Sequence, residues 1–131
     1  MKKLVLLLAL LFGVALISSS SIATKASPEG KKHKAVMQFN QPVRLMGVVL
    51  QGEYLFVHDD GAMARGETCT FVYKGSAAID NKLVVSFHCT PAERLKVRDF
   101  TVRLANVAGL AELREYQFAG ETEAHMVPAA K

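Results

Sequence analysis

The sequence predicts an all-β domain, an antiparallel β-sandwich or small barrel, following an N-terminal signal peptide. Three observations carry that prediction. Short apolar runs rich in β-branched and aromatic residues recur along the chain, separated by turn residues. No long segment has helical periodicity, and there is no fixed-length repeat or low-complexity tract. The one long apolar run stands at the very start, where it reads as a targeting segment rather than as part of the fold.

Met1-Lys2-Lys3 is a positive n-region, and residues 4–17 follow without a charge or a proline. That run has the length of a signal-peptide core and is short for a permanent membrane span. Residues 18–23 supply small side chains; Ser21 and Ala23 place the cleavage after Ala23, with Ala26 as the second choice. No cysteine follows the run, which argues against a lipid anchor; an uncleaved anchor is the competing reading. The domain organisation expected is a signal peptide over 1–23, a flexible leader over 24–34 with Pro28 and Gly30, a single β domain over 35–128 and a tail over 129–131. The product is expected to be periplasmic or extracellular, with no membrane span after signal cleavage.

Charge narrows the function classes. The chain has 16 Lys and Arg against 12 Asp and Glu, and two of the basic residues, Lys2 and Lys3, belong to the signal. The mature chain is therefore near neutral, and nothing in it looks like a nucleic-acid binder. The basic cluster Lys31-Lys32-His33-Lys34 reads as solvated terminal charge, with weak contact to an anionic envelope surface as the sharper alternative. There is no tryptophan to build a sugar-stacking platform.

The strands follow in order. Residues 35–39 and 42–45 read as an opening strand bent at Pro42; 47–50 follow, with Gln51-Gly52 as a turn signal. Residues 53–58 alternate, placing Tyr54, Phe56 and His58 on one face and Leu55 and Val57 on the other. Residues 59–67 read as a loop, whose Asp59, Asp60, Arg65 and Glu67 form a candidate binding surface. The strongest strands are 68–74 and 82–89; 99–107 and 111–118 complete the set, and 91–97 reads as a helical turn.

Cys69 and Cys89 are the most informative pair. Two cysteines in one small exported domain point to a disulfide. A hairpin centred on Ile79 places Cys69 opposite Cys89, Phe71 opposite Phe87 and Tyr73 opposite Val85, all on one apolar face. A bridge there closes a loop of about 20 residues and is worth roughly 3 kcal/mol. Buried free thiols and a metal or redox site are the other readings. His58, His88, Cys69 and Cys89 have the chemistry of a zinc or copper site. Neighbours on a strand point to opposite faces, so His88 and Cys89 chelate one ion only if the strand ends there, and Pro91 places an end close by. Asp59, Asp60 and Glu67 lack the spacing of a calcium loop.

No Gly-x-Ser-x-Gly, HExxH or phosphate-binding glycine loop is present. Ser86 with His88, and His58 with Asp60, are the pairs a hydrolase would draw on, and two residues along one strand is poor geometry for proton transfer. No catalytic residue and no cofactor are expected. His125 reads as a solvated tail residue. Met37, Met46, Met63 and Met126 form no methionine-rich copper motif; core packing accounts for Met37 and Met46.

Phe39, Pro42, Val43, Gly47, Val49, Leu50, Gly52, Tyr54 and Phe56 follow a pattern Phe-x-x-Pro-Val … Gly-x-Val-Leu-x-x-Gly-x-Tyr-x-Phe, with one residue in place of two between Leu50 and Gly52. In these residues the segment 36–57 resembles the opening of a group of small secreted bacterial β-rich proteins. Met46 and Gln51 stand where that pattern often has prolines. Residues 58–75, 83–94 and 116–128 are similar to a subgroup of the same proteins. The resemblance implies a β-rich exported domain and carries no activity. The function expected is therefore a binding or structural domain of the cell envelope or secreted space, its partner another envelope or secreted protein, engaged through the 59–67 loop or an open sheet edge. The alternative is a metal-binding exported protein, for copper or zinc.

Overall fold

The computed structural model describes residues 31–129. Residues 1–23, read as a signal peptide, residues 24–30 of the expected leader and the last two residues of the expected tail lie outside the described residues. About 60% of what is described is strand and 8% helix, so the chain is β-rich as its composition dictates.

The strands are β1 (Lys32–Leu45), β2 (Val48–Asp59), β3 (Thr70–Lys74), β4 (Leu83–Phe87), β5 (Thr90–Glu93), β6 (Thr101–Val107), β7 (Leu110–Gln117) and β8 (Glu123–Met126), with a short helix α1 (Asp60–Ala64) after β2. They form one eight-stranded sheet in the order β4-β3-β2-β1-β7-β8-β5, with β6 on β7. The sheet curls into a half-barrel instead of splitting into the two layers of a sandwich. It is mixed: β1 meets β7 in parallel at Val43–Ala111 and Arg44–Glu112, and every other pairing is antiparallel. β6 runs along one edge of β7, while β1 and β8 share the other edge end to end.

A long hairpin of β1 and β2 forms the spine. Its turn is Met46-Gly47, not Gln51-Gly52: both Met46 (φ 51°) and Gly47 (φ 83°) are left-handed, as a two-residue turn matched to strand twist requires. Gly52 (φ 104°) lies within β2, opposite Phe39, where β1 bulges between Phe39 and Val43. A glycine takes that φ without steric cost and lets β2 follow the bend. Pro42 sits in the unpaired part of the bulge, where its missing N–H costs no ladder bond. β1 begins at Lys32, three residues inside the stretch read as leader.

The register of the β3–β4 hairpin differs by one residue from the sequence-based pairing. Thr70 faces Phe87, Phe71 faces Ser86 and Val72 faces Val85, with a shift before Tyr73 and Leu83. A 3-10 turn (Asp80–Lys82) shortens the connection, and a one-residue slip exchanges the faces. Thr70, Val72 and Phe87 are therefore the buried residues, and Phe71 and Tyr73 are only half-buried. Residues 91–97 begin in β5 rather than in a helical turn, and residues 60–64 of the predicted loop are α1.

The inner face is filled by Phe39, Val43, Leu45, Leu50, Tyr54, Phe56, Val72, Leu113, Tyr116 and Phe118. Tyr54, Phe56 and His58 do share it, as the alternation predicts. Next to this core, buried Glu115 takes Nε and Nη2 of Arg94 at 2.9 and 2.7 Å and Nη1 of Arg103 at 2.7 Å. The Arg94 hydrogen bonds hold the Glu115 carboxyl below the usual carboxylate range, against the opposing pull of burial. A depressed folded value contributes stability above the ordinary carboxylate range, lost as pH falls through the folded value. Glu115→Gln is accordingly expected to lower stability at neutral pH and to flatten its fall on the acid side, read as urea midpoints between pH 3 and 7. An acid limb of unchanged slope would assign the acid loss to other carboxylates.

Candidate metal centre

Cys69 and Cys89 lie at strand ends, not on paired strand positions. Cys69 precedes β3 and Cys89 falls in the break between β4 and β5. Freed from strict alternation, both side chains turn inward and are fully buried. Their Sγ atoms stand 3.1 Å apart, and both are free thiols. A disulfide needs about 2.05 Å, so the two sulfurs are near each other but not at disulfide distance. The Cys89 N–H donates to Cys69 Sγ at 3.2 Å.

His58 approaches from β2. One ligand atom each from His58, Cys69 and Cys89 lies within 4.8 Å of the others. His58 is fully buried, and neither ring nitrogen has a hydrogen-bond partner among the described residues. Its Nδ1 is 2.9 Å from Asp60 Oδ1, a contact in which the Asp60 carboxylate acts on His58 as a nearby charge. Since a carboxylate only accepts, it favours the tautomer with the proton on Nδ1, leaving the Nε2 lone pair free. Asp60 Oδ2 also meets His33 Nε2 at 3.0 Å, so one carboxylate spans a buried and a half-exposed histidine.

A further histidine lies beside the group, one that reads from the sequence as a solvated tail residue. β8 pairs with both β5 and β7, and that tucks His125 inside. Its ring is 3.9 Å from that of His58, and its Nδ1 is 3.8 Å from Cys89 Sγ. Glu123 Oε1 lies 4.0 Å from the other nitrogen. His88, by contrast, is an exposed residue. Its Nδ1 lies 3.8 Å from Cys69 Sγ but 2.9 Å from the Glu67 carbonyl. A carbonyl only accepts, so Nδ1 carries the proton and has no lone pair for an ion. Three of the four predicted ligands assemble, His88 stays outside, and His125 lies beside the group.

The remaining wall is apolar or satisfied. The Thr70 and Tyr116 hydroxyls hydrogen-bond to each other. Met63, from α1, puts its Sδ 3.8 Å from Cys89 Sγ. The loop read as a binding surface is thus partly the frame of this site. Asp59 caps α1 by accepting from Ala62 N at 3.1 Å, Asp60 faces the histidines, and only the Arg65–Glu67 pair is well exposed.

Burial dominates the electrostatics. It pushes the Cys89 thiol up to about 12 and raises Tyr116 well above its ordinary value. It lowers His58 despite the Asp60 charge, and burial followed by the neighbouring His58 ring pushes His125 down to about 3. Both imidazoles are neutral at pH 7, the form in which they donate lone pairs. No family model, curated protein or solved structure matches this chain. The donor set must therefore be read from its own geometry.

The ligand atoms of His58, Cys69 and Cys89 stand close enough together for one ion, with a His125 nitrogen beside Cys89. Two thiolates with metal–sulfur bonds of about 2.3 Å stand about 3.8 Å apart, and a thiolate and an imidazole nitrogen about 3.6 Å apart. The corresponding separations, 3.1 Å for the sulfurs and 3.8 Å from Cys89 Sγ to His125 Nδ1, differ from these by less than an ångström.

Proposed function

We propose that this is an exported β domain of the cell envelope or secreted space that binds one soft transition-metal ion, copper or zinc, through Cys69, Cys89, His58 and His125. The observation that carries this reading is the buried His58 ring beside two buried thiols, with Asp60 Oδ1 2.9 Å from its Nδ1 and no hydrogen-bond partner for its Nε2 among the described residues. An unpartnered buried imidazole nitrogen costs free energy, and a metal bond offsets that cost. Export rests on the n-region and apolar run of residues 1–23. A divalent ion that replaces two thiol protons leaves the buried site neutral with two imidazoles, and copper(I) leaves it one negative charge. Asp60 and Glu123 then act as outer carboxylates on the two histidines.

A second reading is structural, with Cys69 and Cys89 joined as a disulfide staple; its support is the close approach of the two sulfurs. Native mass spectrometry of the mature protein, purified without chelator, separates the two. One bound ion with two reduced thiols is expected. Cys69→Ser/Cys89→Ser is expected to bind none, and Asp60→Asn to bind about 10- to 100-fold more weakly. A metal-free mass two hydrogens short would replace the metal reading with the staple.

A further inference from the structure

Met63 lies outside the four-ligand set, yet its sulfur is as close to Cys89 Sγ as the His125 nitrogen is, 3.8 Å in each case. We propose that Met63 is a thioether donor to copper(I) in the same site, taking the place of His125 so that the ion keeps four donors, and biases the site toward copper(I) over zinc. The inference rests on the metal reading above and goes beyond it by naming the ion.

Placement comes first. Met63 follows His58 by five positions, with the chain reversed between them by the single turn of α1. Asp59 caps that turn, and Gly61 and Ala62 are buried, which seats it against the body of the protein. The Glu67 N–H donates to the Ala62 carbonyl at 2.9 Å, closing the segment on itself. The turn therefore holds the thioether beside the thiol pair instead of leaving it to solvent.

Chemistry comes second. Two sulfurs on one ion with bonds of about 2.3 Å stand about 3.8 Å apart, the separation of Met63 Sδ and Cys89 Sγ. Protein zinc is bound by thiolate, imidazole and carboxylate, whereas combined thiolate and thioether donors select copper(I). A thioether is neutral and polarisable, so it adds little to a bond with zinc and substantially to one with a soft monovalent ion.

Packing is the competing explanation, because Met63 also touches the hydrophobic core. The test removes sulfur and keeps volume. Copper(I) and zinc affinities of the reduced mature protein are measured by chelator competition without oxygen, for the wild type and for Met63→Leu. The expected result is a copper(I) affinity lowered tenfold or more, with zinc changed less than twofold. An unchanged copper(I) affinity, or equal losses for both metals, overturns the assignment. Selenomethionine-labelled protein gives a readout that needs no variant. With copper(I) bound, absorption at the selenium edge should show a copper neighbour, and its absence rules out the thioether bond. A wild type that binds zinc but not copper(I) defeats this inference alone; one that binds neither defeats the metal reading as well.

Discussion

Oxidation of Cys69 and Cys89 to a disulfide is expected to release the bound metal completely, one ion for each bridge formed. The two sulfurs lie 3.1 Å apart, between the length of a disulfide, about 2.05 Å, and the spacing of two thiolates on a tetrahedral ion, about 3.8 Å. A shift of about one ångström in either direction reaches one state or the other, and the same electron pairs cannot serve both. In exchange with a small-molecule disulfide, one thiolate attacks and expels a small thiolate. The second then attacks the mixed disulfide, expels another and closes the bridge. The ion loses two of its four ligands and both negative charges, and the histidines alone leave a divalent cation uncompensated in a buried site. The experiment titrates the loaded protein with oxidised dithiothreitol or a stronger disulfide, following released metal with a chromophoric chelator and thiols by mass. Metal retained after both cysteines are oxidised would show that the thiolates are not its ligands.

Much of this centre is legible in the sequence, and the parts that are not share a cause. The alternation of residues 53–58 places His58 on the inner face, because a strand buried on a core must keep period two. The two cysteines are recognisable as partners from composition alone. Their side-chain directions are not, since both sit just outside a strand, where alternation no longer governs them. The β3–β4 register is missed by one because a 3-10 turn and a bulge alter the connection, and neither leaves a clear mark in residues 75–82. His125 is hidden by context. β8 is four residues long with the sequence Glu-Ala-His-Met, too short and polar to show a pattern, and only its pairing with β5 and β7 buries the ring. Met63 is hidden likewise, on a five-residue helix inside what composition marks as a loop. Local pattern finds residues on long elements; of the side chains around this site, His58 stands on one, Met63 and His125 on short elements, and the two cysteines on none.

The largest loss of stability is expected from Phe56→Ala, about 4 kcal/mol in the metal-free, reduced protein. Phe56 is fully buried, with its ring centroid 5.3 Å from that of Phe100, 5.5 Å from Tyr116 and 6.3 Å from Phe39. Removing it leaves a cavity lined by three rigid rings, which cannot collapse to fill the space as aliphatic chains do. Domains of this size are held by about 5–15 kcal/mol, so the variant stands near the limit of folding. The loss also reaches the metal centre, because Tyr116 packs on Phe56 from one side and lies 5.0 Å from the His125 ring on the other. Metal binding and folding are therefore linked. An ion that binds only the folded chain restores about 4 kcal/mol at a thousandfold excess over its dissociation constant, enough to bring Phe56→Ala back to the metal-free wild-type midpoint. Urea unfolding with and without zinc measures both quantities. A loss below about 1 kcal/mol would remove Phe56 from the centre of the core. A full loss that saturating zinc fails to recover would mean that the core sets the geometry of the site, so that the cavity lowers affinity along with stability.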